Sequence, residues 1–231
     1  MIRYGQYCPI AKALEVLAER WTLLIVRELL MGSRHFNELR RGVPLIAPSV
    51  MSQRLKMLAD HGIVMREPRG GAYEYRLTAA GEELRPLIVQ LGTWGQRWSR
   101  SRMLTHDLDA SFIMWDIRRN VRASMLPQQA VIFFEFPDAK KGMKHWWLVV
   151  AEGEVDLCLD DPGREVDVTL VASLKTMTQI WMGDIFLGQA REQGLLKAIG
   201  KSALVRSLGK WLGPSPFAHI PPAAQLEAVN G

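Results

Sequence analysis

The sequence is poor in cysteine and in long apolar runs, and each shortage excludes a class of protein. Its 231 residues include two cysteines, Cys8 and Cys158, which lie far apart in the chain. This excludes a disulfide-stapled secreted domain and fits a reducing cytoplasm, where we expect the protein to reside. No run of about 18 apolar residues occurs, so no membrane-spanning helix is expected. The first residues, among them Arg3, lack the apolar region of a signal peptide.

The sequence also lacks clusters of catalytic or metal-binding side chains. The histidines are scattered, and together with two cysteines they give no zinc-site spacing: they are His35, His61, His106, His145 and His219. No paired carboxylates, nucleophile elbow or phosphate-binding loop stands in a convincing context. We therefore expect no metal, no other cofactor and no enzymatic activity.

Positive charge is abundant but confined to one half of the chain. The net charge is +5, which divides into +7 for residues 1–104 and −2 for residues 105–231. Of the 16 basic residues in the first half, 14 are arginine. Such asymmetry favours a polyanionic partner for the first half, although an ordinary solvated surface is the alternative.

Apolar residues of the first half recur at helical spacing and then alternate. This pattern predicts helices beginning near Pro9 and Trp21, a short helix around 36–39, and a fourth over residues 48–61. Strands follow at 63–65 and 73–77, joined by a turn at Gly70 and Gly71. Helices followed by a two-stranded hairpin are the layout of a winged helix-turn-helix.

The helix predicted over residues 48–61 is the candidate recognition helix. Met51, Leu55 and Leu58 form its core face, so its polar side chains point outward. Glutamine pairs with adenine through two hydrogen bonds, and serine reaches phosphates or base edges. Arg54 lies between the two faces and either reaches a phosphate or braces the loop before this helix. Arg69 lies at the tip of the hairpin, the wing, which is slim enough there to enter a minor groove. The candidate DNA-binding residues are Arg34, Arg40, Arg41, Ser49, Ser52, Gln53, Arg54, Lys56, Arg66, Arg69 and Arg76.

A longer helix follows the hairpin and carries a heptad seam. The seam consists of Leu84, Leu87, Leu91, Trp94 and Trp98. Two tryptophans on one seam favour a dimer over a helix that packs only on its own domain. Pro86 is expected to kink or restart this helix near its beginning.

Several motifs of the first half resemble the HxlR family of bacterial winged-helix regulators. They are residues 7–10 (YCPI), 14–17 (LEVL), 19–25 (ERWTLLI), 36–40 (FNELR), 55–58 (LKML), 62–64 (GIV) and 75–81 (YRLTAAG). The resemblance covers about residues 5–98. It implies a homodimeric DNA-binding transcription factor that dimerises through its first and last helices. The candidate interface residues are Ile10, Leu14, Leu91, Trp94 and Trp98.

Cys8 stands where some members of that family carry a cysteine that senses oxidants or electrophiles. The N-terminus of a helix, with Arg3 and Lys12 nearby, would favour its thiolate. The alternative is a small, inert residue at the dimer interface.

The second half, after a linker at 99–110, predicts an α+β domain with an antiparallel sheet. Strands are expected at 131–136, 146–152, 155–159 and 166–171, with a short extended piece at 195–199. Helices are expected at 111–125, 173–181, 184–193 and 202–212, before an irregular tail at 213–231. The strand at 131–136 is apolar on both faces, which indicates a second covering layer or a ligand.

Spaced signatures in residues 110–212 resemble the sterol carrier protein 2 domain. They include residues 153–157 (GEVDL), 161–163 (DPG), 166–170 (VDVTL), 183–184 (GD) and 194–196 (GLL). The resemblance implies an apolar tunnel for lipids or other hydrophobic molecules. The candidate lining residues are Met114, Phe134, Trp147, Met177, Trp181, Ile185 and Phe186. For any single one of them the alternative, an ordinary core residue, is favoured.

These observations combine into a homodimeric, winged-helix DNA-binding regulator, with a domain of residues 1–98 joined to an effector-binding domain of residues 111–212. A hydrophobic effector would modulate DNA binding through its unequal affinity for two states of the protein. The first alternative is a hydrophobic-ligand carrier or interaction module that uses the winged helix mainly to dimerise. The second is a regulator that senses oxidants or electrophiles through Cys8.

Overall fold

The structure is a computed structural model that describes residues 3–100 and 108–223. The contacts within the chain divide it into two units, Met1–Thr93 and Trp94–Gly231. The sequence placed the end of the first domain at residue 98. The stretch after Trp94 groups with the second unit because Gln96 and Arg100 hydrogen-bond to Met182 of that unit. Most of the predicted linker and the end of the predicted tail lie outside the described residues.

The first unit opens with four helices, as the periodicity predicts. They are α1 (Pro9–Leu17), α2 (Thr22–Leu30), α3 (Phe36–Gly42) and α4 (Pro48–Asp60). Proline stands at the first position of α1 and of α4, where its missing N–H costs no hydrogen bond. The Glu38 carboxylate accepts from the backbone N–H groups of Arg34 and His35 and so fixes the start of α3.

A hairpin and a broken helix complete the first unit. Strands β1 (Val64–Arg69) and β2 (Ala72–Leu77) pair antiparallel, with Arg69 opposite Ala72. Gly70 and Gly71 both have positive φ, as a two-residue hairpin turn requires, which confirms the predicted turn. Helix α5 (Ala79–Glu82) ends before α6 (Arg85–Trp94) begins, so the helix restarts one residue before Pro86, close to the expected position. A π-helical turn, Gly95–Ser99, follows α6 directly.

The core of the first unit fixes the orientation of α4. Met51, Leu55 and Leu58 are buried against residues of α2 and α3 such as Ile25 and Leu39. This arrangement leaves the opposite side of α4 exposed.

The second unit combines a five-stranded sheet with short helices. Its strands are β3 (Gln129–Glu135), β4 (His145–Ala151), β5 (Glu154–Cys158), β6 (Val168–Ala172) and β7 (Leu196–Gly200). Its helices are α7 (Ala110–Asn120), α8 (Leu174–Met182), α9 (Leu187–Glu192), α10 (Ser202–Arg206) and α11 (Leu208–Trp211), with a 3₁₀ turn at Ala123–Met125. The helix predicted to reach residue 125 ends at Asn120, so Met125 is exposed instead of joining the core.

The sheet is mixed, which corrects the prediction of an antiparallel one. Its strand order is β5-β4-β3-β6-β7, and β3 pairs parallel with β6 while the other neighbours are antiparallel. After the β3–β4–β5 meander the chain returns to the free side of β3. Alternation in the sequence reports which face a side chain occupies, not which strand becomes its neighbour.

The two faces of the sheet differ in burial. Ile132, Phe134, Leu148 and Leu170 are fully buried on one face, within the core that includes residues of α7, α8 and α11. On the other face Phe133 and Trp147 are half-buried, and their ring centroids lie 4.9 Å apart. In the described ranges no helix is long and apolar enough to cross a membrane.

Candidate nucleic-acid interface and apolar cavity

Helix α4 presents one polar, exposed face, which we call the α4 face. It consists of Ser49, Ser52, Gln53 and Lys56, all of which are exposed. Lys56 forms a solvent-exposed ion pair with Asp60, at 3.5 Å. The α4 face therefore offers hydroxyl, amide and ammonium groups on a helix whose opposite side is held in the core.

Arg54 belongs to neither face. The bracing alternative named the loop before α4, whereas the hydrogen bonds of Arg54 go to the connection between α1 and α2. Its Nη2 lies 2.8 Å from Oε2 of Glu19, and its Nε donates to the backbone oxygen of Arg20 over 3.1 Å. Its side chain is 16% exposed. Arg54 thus ties α4 to the connection between α1 and α2.

Two arginines of the wing, Arg69 and Arg76, share one carboxylate. Glu74 is buried, with 8% of its surface exposed, and it accepts hydrogen bonds from Arg69 and from Arg76. The hydrogen bond from Arg76, assisted by the charge of Arg69, lowers the pKa of Glu74 below its ordinary value although burial opposes this. Arg66 lies over the ring of Tyr73, 3.4 Å from its centroid, in a cation–π contact. These contacts hold the wing arginines in a fixed arrangement.

The remaining predicted cations lie on or before α3. Arg34 donates to the backbone oxygens of Leu29 and Ser33, so its guanidinium supports the α2–α3 connection. Arg40 and Arg41 lie in the last turn of α3 and are exposed.

Large apolar side chains are exposed on α1 and on the α6 stretch. All five predicted interface residues are exposed by 43–70%: Ile10, Leu14, Leu91, Trp94 and Trp98. Sequence reasoning missed Tyr7, which is 99% exposed, and Val89, because neither falls on the predicted apolar stripes. Cys8 lies directly before α1 and is half-buried, whereas Cys158 ends β5 in the second unit.

The second unit contains an apolar cavity of about 560 Å³. Four of the predicted lining residues border it: Met177, Trp181, Ile185 and Phe186. The other three are not among the described residues that line it. Met114 and Phe134 are fully buried in the core, and Trp147 lies on the opposite sheet face, because its register pairs it with Phe133 rather than with Phe134.

The polar end of this cavity comes from residues that the sequence analysis did not single out. Arg100 donates to the backbone oxygen of Met182 over 3.0 Å and forms an ion pair with Asp184. Burial lowers the pKa of the Arg100 guanidinium below its ordinary value. Gln96 lies beside it in the cavity wall. Arg100 falls in the predicted linker, whose weak periodicity gave no signal that it borders a cavity. Gln96 falls within the predicted helix that carries the heptad seam, between Trp94 and Trp98.

Comparisons with known proteins agree with the arrangement of the first unit. A family model described as HxlR-like helix-turn-helix matches residues 16–103. An uncharacterized HTH-type transcriptional regulator of Mycobacterium tuberculosis is 42% identical over 92 residues, which are 38% of this chain and 58% of that protein. The chain therefore spans little more than half of that relative.

Two proteins of Bacillus subtilis are also similar. YvaP, named as an uncharacterized HTH-type transcriptional regulator, is 37% identical over 98 residues, which are 41% of this chain and 91% of YvaP. The reduced form of the transcriptional regulator YodB is 28% identical and covers 39% of this chain and 93% of its own, with a TM-score of 0.35.

Proposed function

The chain belongs to the HxlR-like helix-turn-helix family, and from this membership we propose that it regulates transcription by binding double-stranded DNA. The observation that carries the proposal is the α4 face. Its polar side chains are exposed, while Met51, Leu55 and Leu58 fix the other side of the helix in the core. A helix held in this way enters a major groove with a defined face toward the bases.

The residues of the α4 face have different roles in this proposal. Gln53 reads a base, because its amide both donates and accepts and so matches the major-groove edge of adenine. Ser49, Ser52 and Lys56 contact phosphates or base edges. Arg40 and Arg41 of α3 add exposed positive charge for the phosphate backbone, and the wing with Arg66, Arg69 and Arg76 contacts the adjoining groove.

The regulator acts as a homodimer in this proposal. Exposed apolar side chains on α1 and α6, chief among them Ile10, Leu91 and Trp94, support it, because large apolar groups at a protein surface mark association sites. Dimerisation would place two copies of α4 about one turn of DNA apart, on a palindrome-like site.

The second unit binds a hydrophobic effector in this proposal. The cavity of about 560 Å³ supports it, since small-molecule sites typically measure about 300–1,000 Å³ and are mostly apolar. The resemblance of residues 110–212 to the sterol carrier protein 2 domain points to the same ligand class. A carrier that uses its winged helix mainly to dimerise is the competing reading. The positive charge of the first half disfavours it.

A fluorescence-anisotropy titration tests DNA binding. The labelled duplex comes from immediately upstream of the protein's own coding sequence, and a scrambled duplex of equal length is the comparison. We expect tighter binding to the upstream duplex, with a log–log salt slope of about −0.9 per phosphate contacted.

Two variants distinguish a contact with a base from a contact with the phosphate backbone in this titration. Gln53→Ala should lose about 1–3 kcal/mol of preference for the upstream duplex, because the base contact disappears. Lys56→Ala should weaken both duplexes alike and flatten the salt slope by about 1. Equal, salt-insensitive binding of both duplexes by the wild type would contradict the proposal.

Oxidant or electrophile sensing through Cys8 stays a second hypothesis. Its half-buried position directly before α1 keeps the thiol near the proposed dimer interface. Treatment with a quinone or a hypochlorite-type oxidant should then change DNA affinity in the wild type and leave Cys8→Ser unchanged. An equal response of both proteins would remove Cys8 from the account.

A further inference from the structure

The two edge strands of the five-stranded sheet differ in how their outward backbone groups are satisfied. The strand order makes β5 and β7 the edges. On β5, Nε of Arg118 donates to the backbone oxygen of Val155 over 2.8 Å, and Oδ1 of Asp156 accepts from the backbone N–H of Leu157. Both backbone groups point away from β4, because inward and outward residues alternate along an antiparallel strand. Side chains therefore occupy positions at which another strand would bond to β5.

Strand β7 has no such cover in the part of the chain that the structure describes. The backbone N–H of Lys201 donates to the oxygen of Asp167 over 2.8 Å, and the register pairs Ile199 with Thr169. Every second residue counted back from Lys201 therefore bonds to β6, which leaves the N–H and C=O of Ala198 pointing outward. No hydrogen bond from a described residue reaches either group of Ala198. An open edge of this kind is a template for a further strand.

A surface groove beside β7 leaves room for that strand. Its volume is about 630 Å³, and it lies between α9 and residues 196–199 of β7. Gly188 and Gly194 also line it, and the space beside each of these glycines is open. The backbone N–H of Leu195 donates to the oxygen of Ala190 over 2.9 Å and so ties the start of β7 to α9. A groove between a strand edge and a helix suits a single extended chain.

The side chains along β7 indicate the chemistry of its partner. Lys197 and Ile199 are exposed and lie on the sheet face that carries Phe133. Among the charged residues that line the groove, Arg191 and Lys197 are cationic and Glu192 is anionic. Facing side chains of neighbouring strands interact, so an acidic residue is favoured opposite Lys197 and an apolar one opposite Ile199.

A second copy of β7 suits this edge less well. In an antiparallel pair centred on Ala198, Lys197 of one copy would face Ile199 of the other, so neither side chain would meet a matching partner. The pair would also bring two copies of Arg191 and Lys197 to one site. Like charges that close repel each other, which favours a different chain of acidic character.

We propose that β7 binds an extended segment of a partner protein, which adds to the sheet as a sixth strand. The segment bonds through its backbone to Ala198 and carries an acidic side chain opposite Lys197 and a β-branched apolar one opposite Ile199. These two side chains lie two positions apart in the segment, because alternate residues of a strand share a face. The site belongs to the second unit alone and depends neither on DNA binding nor on an effector.

Three labelled peptides of one sequence, TSVTETS, test for backbone pairing. In an antiparallel arrangement its valine faces Ile199, its central threonine faces Ala198 and its glutamate faces Lys197. N-methylation of the central threonine removes the N–H that bonds to Ala198 and should weaken binding about tenfold in fluorescence anisotropy with the full chain. N-methylation of the valine alters a nitrogen that points away from β7 and should leave the affinity unchanged.

Two variants assign binding to β7. Lys197→Glu should weaken binding of TSVTETS about two- to fivefold and should prefer TSVTKTS by a similar factor, because the charge pair is reversed. Ala198→Pro removes an N–H that β6 does not use and should abolish binding. Lys175→Glu makes the same charge change at an exposed position of α8 outside the groove, so it is the control and should bind as the wild type does. Circular dichroism verifies that each variant is folded.

Several outcomes would overturn the proposal. They are the absence of binding by TSVTETS, equal affinity of the three peptides, and a preference for TSVTETS over TSVTKTS that survives in Lys197→Glu. Light scattering on the protein alone tests the other occupant. If Lys197→Glu or a folded Ala198→Pro has a lower molecular mass than the wild type, a second copy occupies the edge, which contradicts the proposed partner.

Discussion

At the residue scale, neighbouring side chains of α4 divide into inward and outward roles. Arg54 is 16% exposed and forms hydrogen bonds with Glu19 and Arg20, whereas Lys56 is 81% exposed and forms a surface ion pair with Asp60. An exposed pair contributes little to stability, while a half-buried guanidinium with two acceptors contributes more. The same charge type therefore supports the fold at one position and remains available for DNA at the other.

This contrast predicts separable effects of two alanine substitutions. Arg54→Ala should lower the free energy of unfolding by about 1–2 kcal/mol, because both the ion pair and the bond to Arg20 are lost. Lys56→Ala should leave stability within about 0.5 kcal/mol and weaken DNA binding. Urea unfolding and DNA titration of each variant check this. Equal stability of the two variants would contradict the bracing role.

Gly42 illustrates a constraint of space rather than of backbone conformation. A Cβ added there would overlap the carboxylate of Glu28, which is fully buried and paired with Arg27. Gly42→Ala should therefore cost about 1–3 kcal/mol of stability, the usual range for overpacking. In a Glu28→Ala background the added methyl has room, so the same substitution should cost much less. If Gly42→Ala lowers stability by the same amount in the Glu28→Ala background, the overlap with Glu28 is not the cause of the loss.

At the element scale, the wing is stabilised by its buried carboxylate. Glu74 accepts hydrogen bonds from Arg76 and Arg69, and these partners hold its pKa below the ordinary value of 4.5. A carboxyl with a lowered folded-state pKa stabilises the fold above its unfolded pKa. That contribution is lost as the pH falls from about 4.5 through the folded value.

Glu74→Gln should therefore be less stable than the wild type at pH 7 and approach it in stability as the medium is acidified below about pH 4.5. Unfolding curves measured at several pH values between 3 and 7 give the difference directly. A difference that does not change over this range would show that the charge of Glu74 is not the stabilising feature.

The exposed apolar side of α6 gives the prediction for association. Leu91→Asp should shift the protein from dimer to monomer, because a charge in an apolar interface must be desolvated without a partner. Gln90→Asp, at the adjacent exposed position, is the control and should remain dimeric. Light scattering after size-exclusion chromatography reads the mass. A monomeric wild type would exclude the proposed interface.

Elements were predictable where local chemistry decides them. The glycine pair at 70–71 predicted the hairpin turn, and Pro86 predicted the break between α5 and α6. The parallel pairing of β3 with β6 was not predictable, because it depends on the path of the chain between distant strands. For the same reason the register that places Phe134 and Trp147 on opposite faces could not be read from two separate apolar runs.

At the scale of the whole molecule, the candidate sites differed in how visible they were in the sequence. The α4 face was predictable because its polar residues occupy the side of the helix opposite the apolar stripe. The cavity was only half predictable. The apolar members of α8 were named from the resemblance to the sterol carrier protein 2 domain, but Gln96 and Arg100 line the cavity only through the tertiary fold. Neither the end of the seam helix nor the polar linker gives a local sign of such a role.

If the effector and DNA prefer different states of the protein, each ligand must change the affinity for the other by the same factor. We expect saturating decan-1-ol to change the dissociation constant for DNA by about 5–150-fold, the range of ordinary allosteric coupling. Unchanged DNA affinity with a demonstrably occupied cavity would separate the two units functionally.

The central claim is that a pair of α4 helices reads DNA, and selection from a pool of random duplexes tests it most directly. The immobilised full chain retains duplexes through successive rounds at physiological salt, and the retained DNA is sequenced. The account predicts an inverted repeat whose half-sites lie about one helical turn apart. It also predicts that Gln53→Ala loses the preference at one position in each half-site. A retained pool with no shared sequence, or a motif that is unchanged in Gln53→Ala, would contradict the claim.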